Sequence, residues 1–178
     1  MTKISAQDIQ KLREKTSAGV MDCKKALADS QGDFDKALEV LKEKGIAIAQ
    51  KKATREARDG RVEAYVHTNN KIGVLVEINC ETDFVSRCED FQKLCKDVAM
   101  QIAALCPLYI SRENVPKEVL KEEAGREDEF CKTHCLLEQT FIKDQSKTIK
   151  DCVTEVVAKV GENIVIRRFT RFQLGENA

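Results

Sequence analysis

Residues 72–86 read IGVLVEINCETDFVS. Ile72, Val74, Val76, Ile78 and Cys80 fall on alternate positions, separated by Gly73, Leu75, Glu77 and Asn79. A period of two is the mark of a β-strand with one buried face. Just upstream, Val62, Ala64 and Val66 alternate with Arg61, Glu63 and Tyr65, and Thr68-Asn69-Asn70 supplies turn chemistry between the two runs. The pair is predicted to be a β-hairpin. A third strand is expected from Asn163 to Phe172, after Gly161.

Beyond the hairpin the period changes to that of a helix. From Ser86 to Cys106, Cys88, Phe91, Cys95, Val98, Ile102 and Leu105 line one face, and Pro107 ends the run. Ser146 is predicted to open a second helix with Ile149, Val153, Val156, Val157 and Val160 on one stripe. The intervening 113–137 is charged and less periodic, with Pro116 opening a short helix. The expected class is α+β, an antiparallel three-stranded sheet with helices on one face.

The amino-terminal stretch is helical in pattern. Ser5 with Asp8 has the form of a capping box ahead of Ile9 and Leu12. The run Thr16-Ser17-Ala18-Gly19 breaks that helix, and Asp22 is the expected cap of a second one ending at Gln31-Gly32. Asp33 caps a third, with Phe34, Ala37, Leu38 and Leu41, which Gly45 is expected to end. The expected organisation is a helical module over 1–46, a basic helical linker over 47–60 and a sheet domain over 61–178. The linker carries Lys51, Lys52, Arg55 and Arg58 without interleaved aromatics, which favours a solvated segment over a nucleic-acid surface.

Composition narrows the function. The 178 residues are 42% apolar and 34% charged, with 30 Lys+Arg against 30 Asp+Glu. A net charge of zero argues against binding held by phosphate neutralisation. No apolar run is long enough to span a bilayer. The start, Met1-Thr2-Lys3-Ile4-Ser5, has no apolar or Arg-rich leader, so a cytoplasmic location is expected. The eight cysteines include no CxxC. Cys131, His134 and Cys135 supply three potential zinc ligands where a structural site needs four, so buried thiols in a reducing compartment are preferred. No Gly-rich phosphate loop, GxSxG or HExxH is present. A binding protein is expected rather than an enzyme, with no cofactor and no metal. The segment Cys80–Ser86 stands out, because it ends an apolar strand just before an amphipathic helix and can project side chains from a rigid base. On periodicity alone Thr82 or Asp83 caps that helix and Phe84 packs inward.

Residues 9–27, IQKLREKTSAGVMDCKKAL, and 76–85, VEINCETDFV, resemble the two signatures of the bacterial and organellar elongation factor Ts family. Residues 135–144, CLLEQTFIKD, and 159–169, KVGENIVIRRF, are further likenesses in the family's order. The resemblance implies a ubiquitin-associated-like three-helix module, a core sheet domain, and guanine nucleotide exchange on elongation factor Tu without covalent chemistry. It implies that Thr82, Asp83, Phe84 and Val85 dislodge the partner's Mg²⁺ and that Arg13, Val20 and Met21 contact the partner's nucleotide-binding domain. Ser17 stands where the family often has Gly, and Val20 where Met is common. The chain has one core unit, and is short between Leu120 and Cys135. The sheet face away from the helices is expected to carry Tyr65, Leu75, Val165 and Phe169 or their alternates, covered by a loop or by a second copy, and the resemblance implies the second, a two-fold homodimer through this sheet. The competing readings are a ubiquitin-associated-type peptide adaptor and a thiol-based redox or metal protein.

Overall fold

The computed structural model describes residues 4–16 and 18–176. In chain order the elements are α1 (Ala6–Thr16), α2 (Val20–Asp29), α3 (Phe34–Lys52), β1 (Asp59–Val66) and β2 (Ile72–Cys80). They continue with α4 (Asp83–Ser86), α5 (Glu89–Leu105), α6 (Lys117–Glu122) and α7 (Glu127–His134). The ribbon β3 (Thr140–Phe141) and β4 (Asp144–Thr148) leads into α8 (Ile149–Val160) and β5 (Val165–Gln173). These elements form two compact units, one up to Arg55 with Thr154–Asn163, the other Glu56–Val153 with Ile164 onward.

In the first unit, Leu12, Cys23, Ala26, Leu27, Ala37 and Leu41 form a buried cluster between α1, α2 and α3, flanked by Ile9, Phe34 and Leu38. The helix starts are satisfied by short side chains. Asp8 N donates to Ser5 Oγ (3.1 Å) while Ser5 N donates to Asp8 Oδ2 (3.3 Å). Asp33 Oδ1 accepts from the amides of Asp35 and Lys36, both at 3.1 Å. Two expected boundaries differ. Asp22 lies in the first turn of α2, whose N-cap is Gly19. Gly45 does not end α3, which runs on to Lys52, so the first part of the expected linker is helix. Gly45 is buried, and a Cβ there would lie 3.7 Å from the Ala158 Cβ of α8. The glycine is a point of close helix approach, and the Ala-rich residues after it are good helix formers. Ser17 lies outside the described residues.

The second unit contains the expected sheet, antiparallel and ordered β1-β2-β5. The register pairs Glu63 with Val76 and Tyr65 with Val74 in the hairpin, and Val76 with Phe169 and Ile78 with Ile166 across to β5. These residues share the face against which α5 packs, and Val74, Val76, Ile78, Cys80 and Ile166 are buried there. The opposite face holds Val62, Val66, Leu75, Val165 and Phe172, all exposed. The expected dimer face is therefore wrong as a set. Leu75 and Val165 lie outward, but Tyr65 and Phe169 lie on the helix side. On β1 the pattern runs opposite to hydrophobicity, with Glu63 only 8% exposed and Val62 on the surface. Register decides it, because shifting a strand by one residue exchanges its two faces. Arg61 stands 2.9 Å from Glu63 as its charge partner, while Arg61 Nε and Glu63 Oε2 are buried without a hydrogen bond among the described residues.

Gly60 is required by this hairpin. Its φ is +139°, and a Cβ would fall 2.2 Å from the Ile78 carbonyl oxygen. Cys88 is the N-cap position of α5, so the helix expected from Ser86 begins at Glu89, and Ser86 instead ends the separate short α4. Likewise α8 begins at Ile149, not at Ser146, which belongs to β4. Thr148 and Asp151 form its capping box, Thr148 N donating to Asp151 Oδ2 (2.9 Å) and Asp151 N to Thr148 Oγ1 (3.1 Å). The β3–β4 ribbon is held to α5 by buried amides. Gln101 Nε2 donates to Thr140 O (3.0 Å) and Gln101 Oε1 accepts from Ile142 N (3.0 Å).

Candidate functional site

The turn after β2 is built from the strand end outward. Cys80 is fully buried, and its Sγ donates to Thr82 O at 3.1 Å. Thr82, in extended backbone conformation, caps α4 by accepting from Val85 N at 3.5 Å. The short helix is closed by Ser86 Oγ donating to Asp83 O (2.8 Å) and by Cys88 N donating to Val85 O (3.0 Å). Packed against β1, β2 and the start of α5, α4 has little freedom to tilt.

Consecutive residues of a single helical turn diverge by about 100°. With Val85 buried, Phe84 points away from the core and is 81% exposed. Thr82 thus caps the helix as periodicity suggested, but Phe84 does not pack inward; Val85 takes that place. Asp83 is exposed beside it and pairs with Arg87 at 2.9 Å, one helical turn on. The sequence reading did not single out Arg87; its i, i+4 spacing from Asp83 was the available signal. A large aromatic held in water on a capped, anchored turn is a protruding contact group. The hydroxyls of Thr82 and Ser86 are spent on backbone hydrogen bonds of the turn and the Asp83 carboxylate on Arg87, which leaves the Phe84 ring as its large exposed apolar group.

The other implied contact residues belong to the first unit. Arg13 and Val20 line one open groove of about 550 Å³, together with Ala6, Ile9, Gln10 and Lys159. Val20 and Met21 are exposed at the start of α2; Val20 and Ile9 are apolar members of the groove lining, which also carries Arg13, Lys159 and the acidic Glu14. Lys159 opens one of the family-like stretches, but only tertiary folding brings it to this groove.

All eight cysteines are thiols, and Cys106 is the exposed one among them. Burial pushes the Cys95 thiol up to about 12. Among the described residues, Cys131, Cys135 and Glu138 bring ligand-type atoms together. None of the Thr82–Val85 side chains belongs to that group. Among the described residues no helix is long and apolar enough to cross a membrane.

The family model for elongation factor Ts matches residues 2–125 and 123–176. The chain belongs to the elongation factor Ts family. It is 51% identical to elongation factor Ts of Caldanaerobacter subterraneus subsp. tengcongensis over 195 aligned positions, covering 97% of this chain and 98% of that protein. Identity to the Thermodesulfovibrio yellowstonii elongation factor Ts is also 51%, with 97% of each chain covered. For the Carboxydothermus hydrogenoformans factor it is 50%, covering 97% of this chain and 90% of the other. The alignment of 195 positions is longer than the 178-residue chain, so the relatives carry residues that this one lacks. The two stretches matched to the elongation factor Ts model meet at 123–125, between α6 and α7. Membership places the chain among the factors of translation elongation and protein biosynthesis.

Proposed function

We propose that this chain is a cytoplasmic guanine nucleotide exchange factor that binds elongation factor Tu carrying GDP, dislodges its Mg²⁺, and releases the nucleotide so that GTP can enter. The supporting observation is Phe84, exposed on a turn anchored by Val85 and capped by Thr82. A GTPase holds GDP through phosphate contacts and a Mg²⁺ that demands near-ideal octahedral geometry. A small displacement of the groups around that ion therefore removes much of the nucleotide affinity. Phe84 is the wedge that enters an apolar cleft beside the ion, and Asp83 pairs with groups that the wedge displaces. Arg13, Val20 and Met21, on a module of the ubiquitin-associated kind, anchor the factor on the same partner domain. The chain itself makes and breaks no covalent bond in this scheme and needs no cofactor.

The partner-free protein is a two-fold homodimer in this reading, formed through the outward sheet face of Val62, Val66, Leu75, Val165 and Phe172. Five exposed apolar side chains around the Glu77–Arg168 ion pair on one sheet face are more than a monomer ordinarily leaves to water. Light scattering at tens of micromolar protein is expected to give the dimer mass, and a monomer there would remove the dimer from the scheme.

The deciding experiment is release of labelled GDP from the cognate elongation factor Tu, with and without this protein. Substoichiometric factor is expected to accelerate release, and lowering free Mg²⁺ with a chelator is expected to shrink its advantage. Unchanged release in the presence of folded factor would sink the proposal.

A further inference from the structure

At the carboxy-terminal end of α7, two thiols one helical turn apart meet a carboxylate from the following 3₁₀ turn, Leu136–Glu138. We propose that Cys131, Cys135 and Glu138 form a binding site for a single thiophilic divalent cation of the zinc class. Their ligand atoms all lie within 4.8 Å of one another. Both cysteines are fully buried, in a cluster with Val115 and flanked by Tyr109, Val119, Leu120 and Phe130. With metal–sulfur bonds of about 2.3 Å, ligand atoms around a tetrahedral ion stand roughly 3.8 Å apart. Drawing the trio in by about 1 Å through side-chain rotation completes three corners of that tetrahedron, and solvent supplies the fourth.

His134, the sequence candidate for the third ligand, is not in the group; its ring packs on Phe130 with centroids 4.6 Å apart. Glu138 replaces it, and Arg112 holds Glu138 in place. Arg112 Nε donates to Glu138 Oε1 (3.3 Å) and its terminal nitrogen to Oε2 (3.2 Å), while that same nitrogen also meets Asp128 at 2.7 Å. A carboxylate has two oxygens, so one can turn to the ion while the other stays on the guanidinium, the outer-shell arrangement typical of metal-bound carboxylates. Two thiolates and a carboxylate carry three negative charges, which the two positive charges of the ion and a guanidinium shared with the exposed Asp128 offset in large part. Cysteine ligates a metal as the thiolate, so each of the two thiols gives up its proton on binding. Binding is then an exchange in which two S–H bonds break, two metal–sulfur bonds form and two protons leave to solvent. No electron is transferred.

The test is titration of the reduced full chain with Cd²⁺, read by sulfur-to-metal charge-transfer absorption, in a Cys106→Ser background that removes the exposed thiol. One ion per chain is expected, with release of about two protons. Cys131→Ser/Cys135→Ser should abolish the band, whereas Cys88→Ser/Cys152→Ser should leave it unchanged. Glu138→Gln keeps both sulfurs and should preserve the band while weakening affinity tenfold or more, a readout that stands even if the double serine variant does not fold. A band that survives in folded Cys131→Ser/Cys135→Ser protein, unchanged affinity in Glu138→Gln, or no binding at all would each overturn the site.

Discussion

Phe84 and Val85 are adjacent in one turn of α4 and end in opposite environments, Phe84 81% exposed and Val85 5%. The cap at Thr82 and the burial of Val85 set the orientation of the turn, and that orientation leaves Phe84 in water. One residue is available to a partner because its neighbour is not.

Substitution should separate the two roles. Phe84→Ala removes nothing from the core, so the thermal midpoint should barely move. If Phe84 is the wedge, GDP release at limiting factor should slow by about one to two orders of magnitude, since a buried interface aromatic is commonly worth ~2–4 kcal/mol. Val85→Ala should do the reverse in stability, losing about 1–2 kcal/mol by denaturant titration. A folded Phe84→Ala/Asp83→Ala protein with full exchange activity would exclude the wedge.

Gly60→Ala is expected to be severe for so small a change. The new Cβ meets the Ile78 carbonyl oxygen at 2.2 Å, and the φ of +139° is one that L side chains rarely adopt. Relief requires β1 and β2 to separate at their paired ends. A loss of ~2 kcal/mol or more is expected. A urea midpoint equal to that of the parent protein would show that the strand end relaxes freely.

Gln101→Leu tests the buried amide network. The leucine leaves Ile142 N and Thr140 O without the partners that Gln101 provides. Orphaned backbone groups should lower stability by ~1–3 kcal/mol. The distinguishing readout is hydrogen exchange, which should speed at the Ile142 amide; unaltered protection there would show that another group takes over.

Acid should weaken the helical unit through Asp33. Its carboxyl is held below the usual range, first by the Lys36 amide bond. Folding therefore favours the ionised form. The stabilisation is complete above the unfolded value of about 4 and is lost as pH falls through the lower folded value. Asp33→Asn keeps a capping side chain without the titration, so its melting temperature should fall less steeply between about pH 5 and pH 3. Identical slopes would assign the acid response to other carboxylates.

Thiol reactivity should follow burial rather than cysteine count. In native protein a disulfide-exchange reagent should modify Cys106 in the fast phase, with Cys95 silent until unfolding. Rapid native labelling of Cys95, identified by peptide mapping, would show that α5 opens readily.

The strands, the α5 and α8 stripes and the caps at Ser5 and Asp33 were legible in the sequence because each is local. A period of two, a period of 3.6 or a short polar residue ahead of an apolar run requires no knowledge of the rest of the chain. The Cys80–Ser86 turn was legible for the same reason, as a junction between two such patterns. Boundaries were less so. Gly45 has the composition of a helix stop, yet it is an interior position that lets Ala158 approach. Ser146 has the composition of a cap, yet Thr148 and Asp151 make the capping box.

By itself, the sequence determined the three helices of the first unit, the body of α5 and α8, the three strands of the antiparallel sheet, and the place of a turn after β2, but not the β3–β4 ribbon, whose pairing joins residues with no strand-like alternation. Tertiary structure alone decided which faces are covered. Whether Val62 or Glu63 is buried depends on the register of β1 against β2, and a shift of one residue would exchange them. The same holds for Tyr65 and Phe169, which lie on the helix side while Leu75 and Val165 face out. The exposure of Phe84 was open too, because a short helix can turn either neighbour to the core. Alternation within a strand is a local property, but the choice of side is made by packing between segments far apart in the chain.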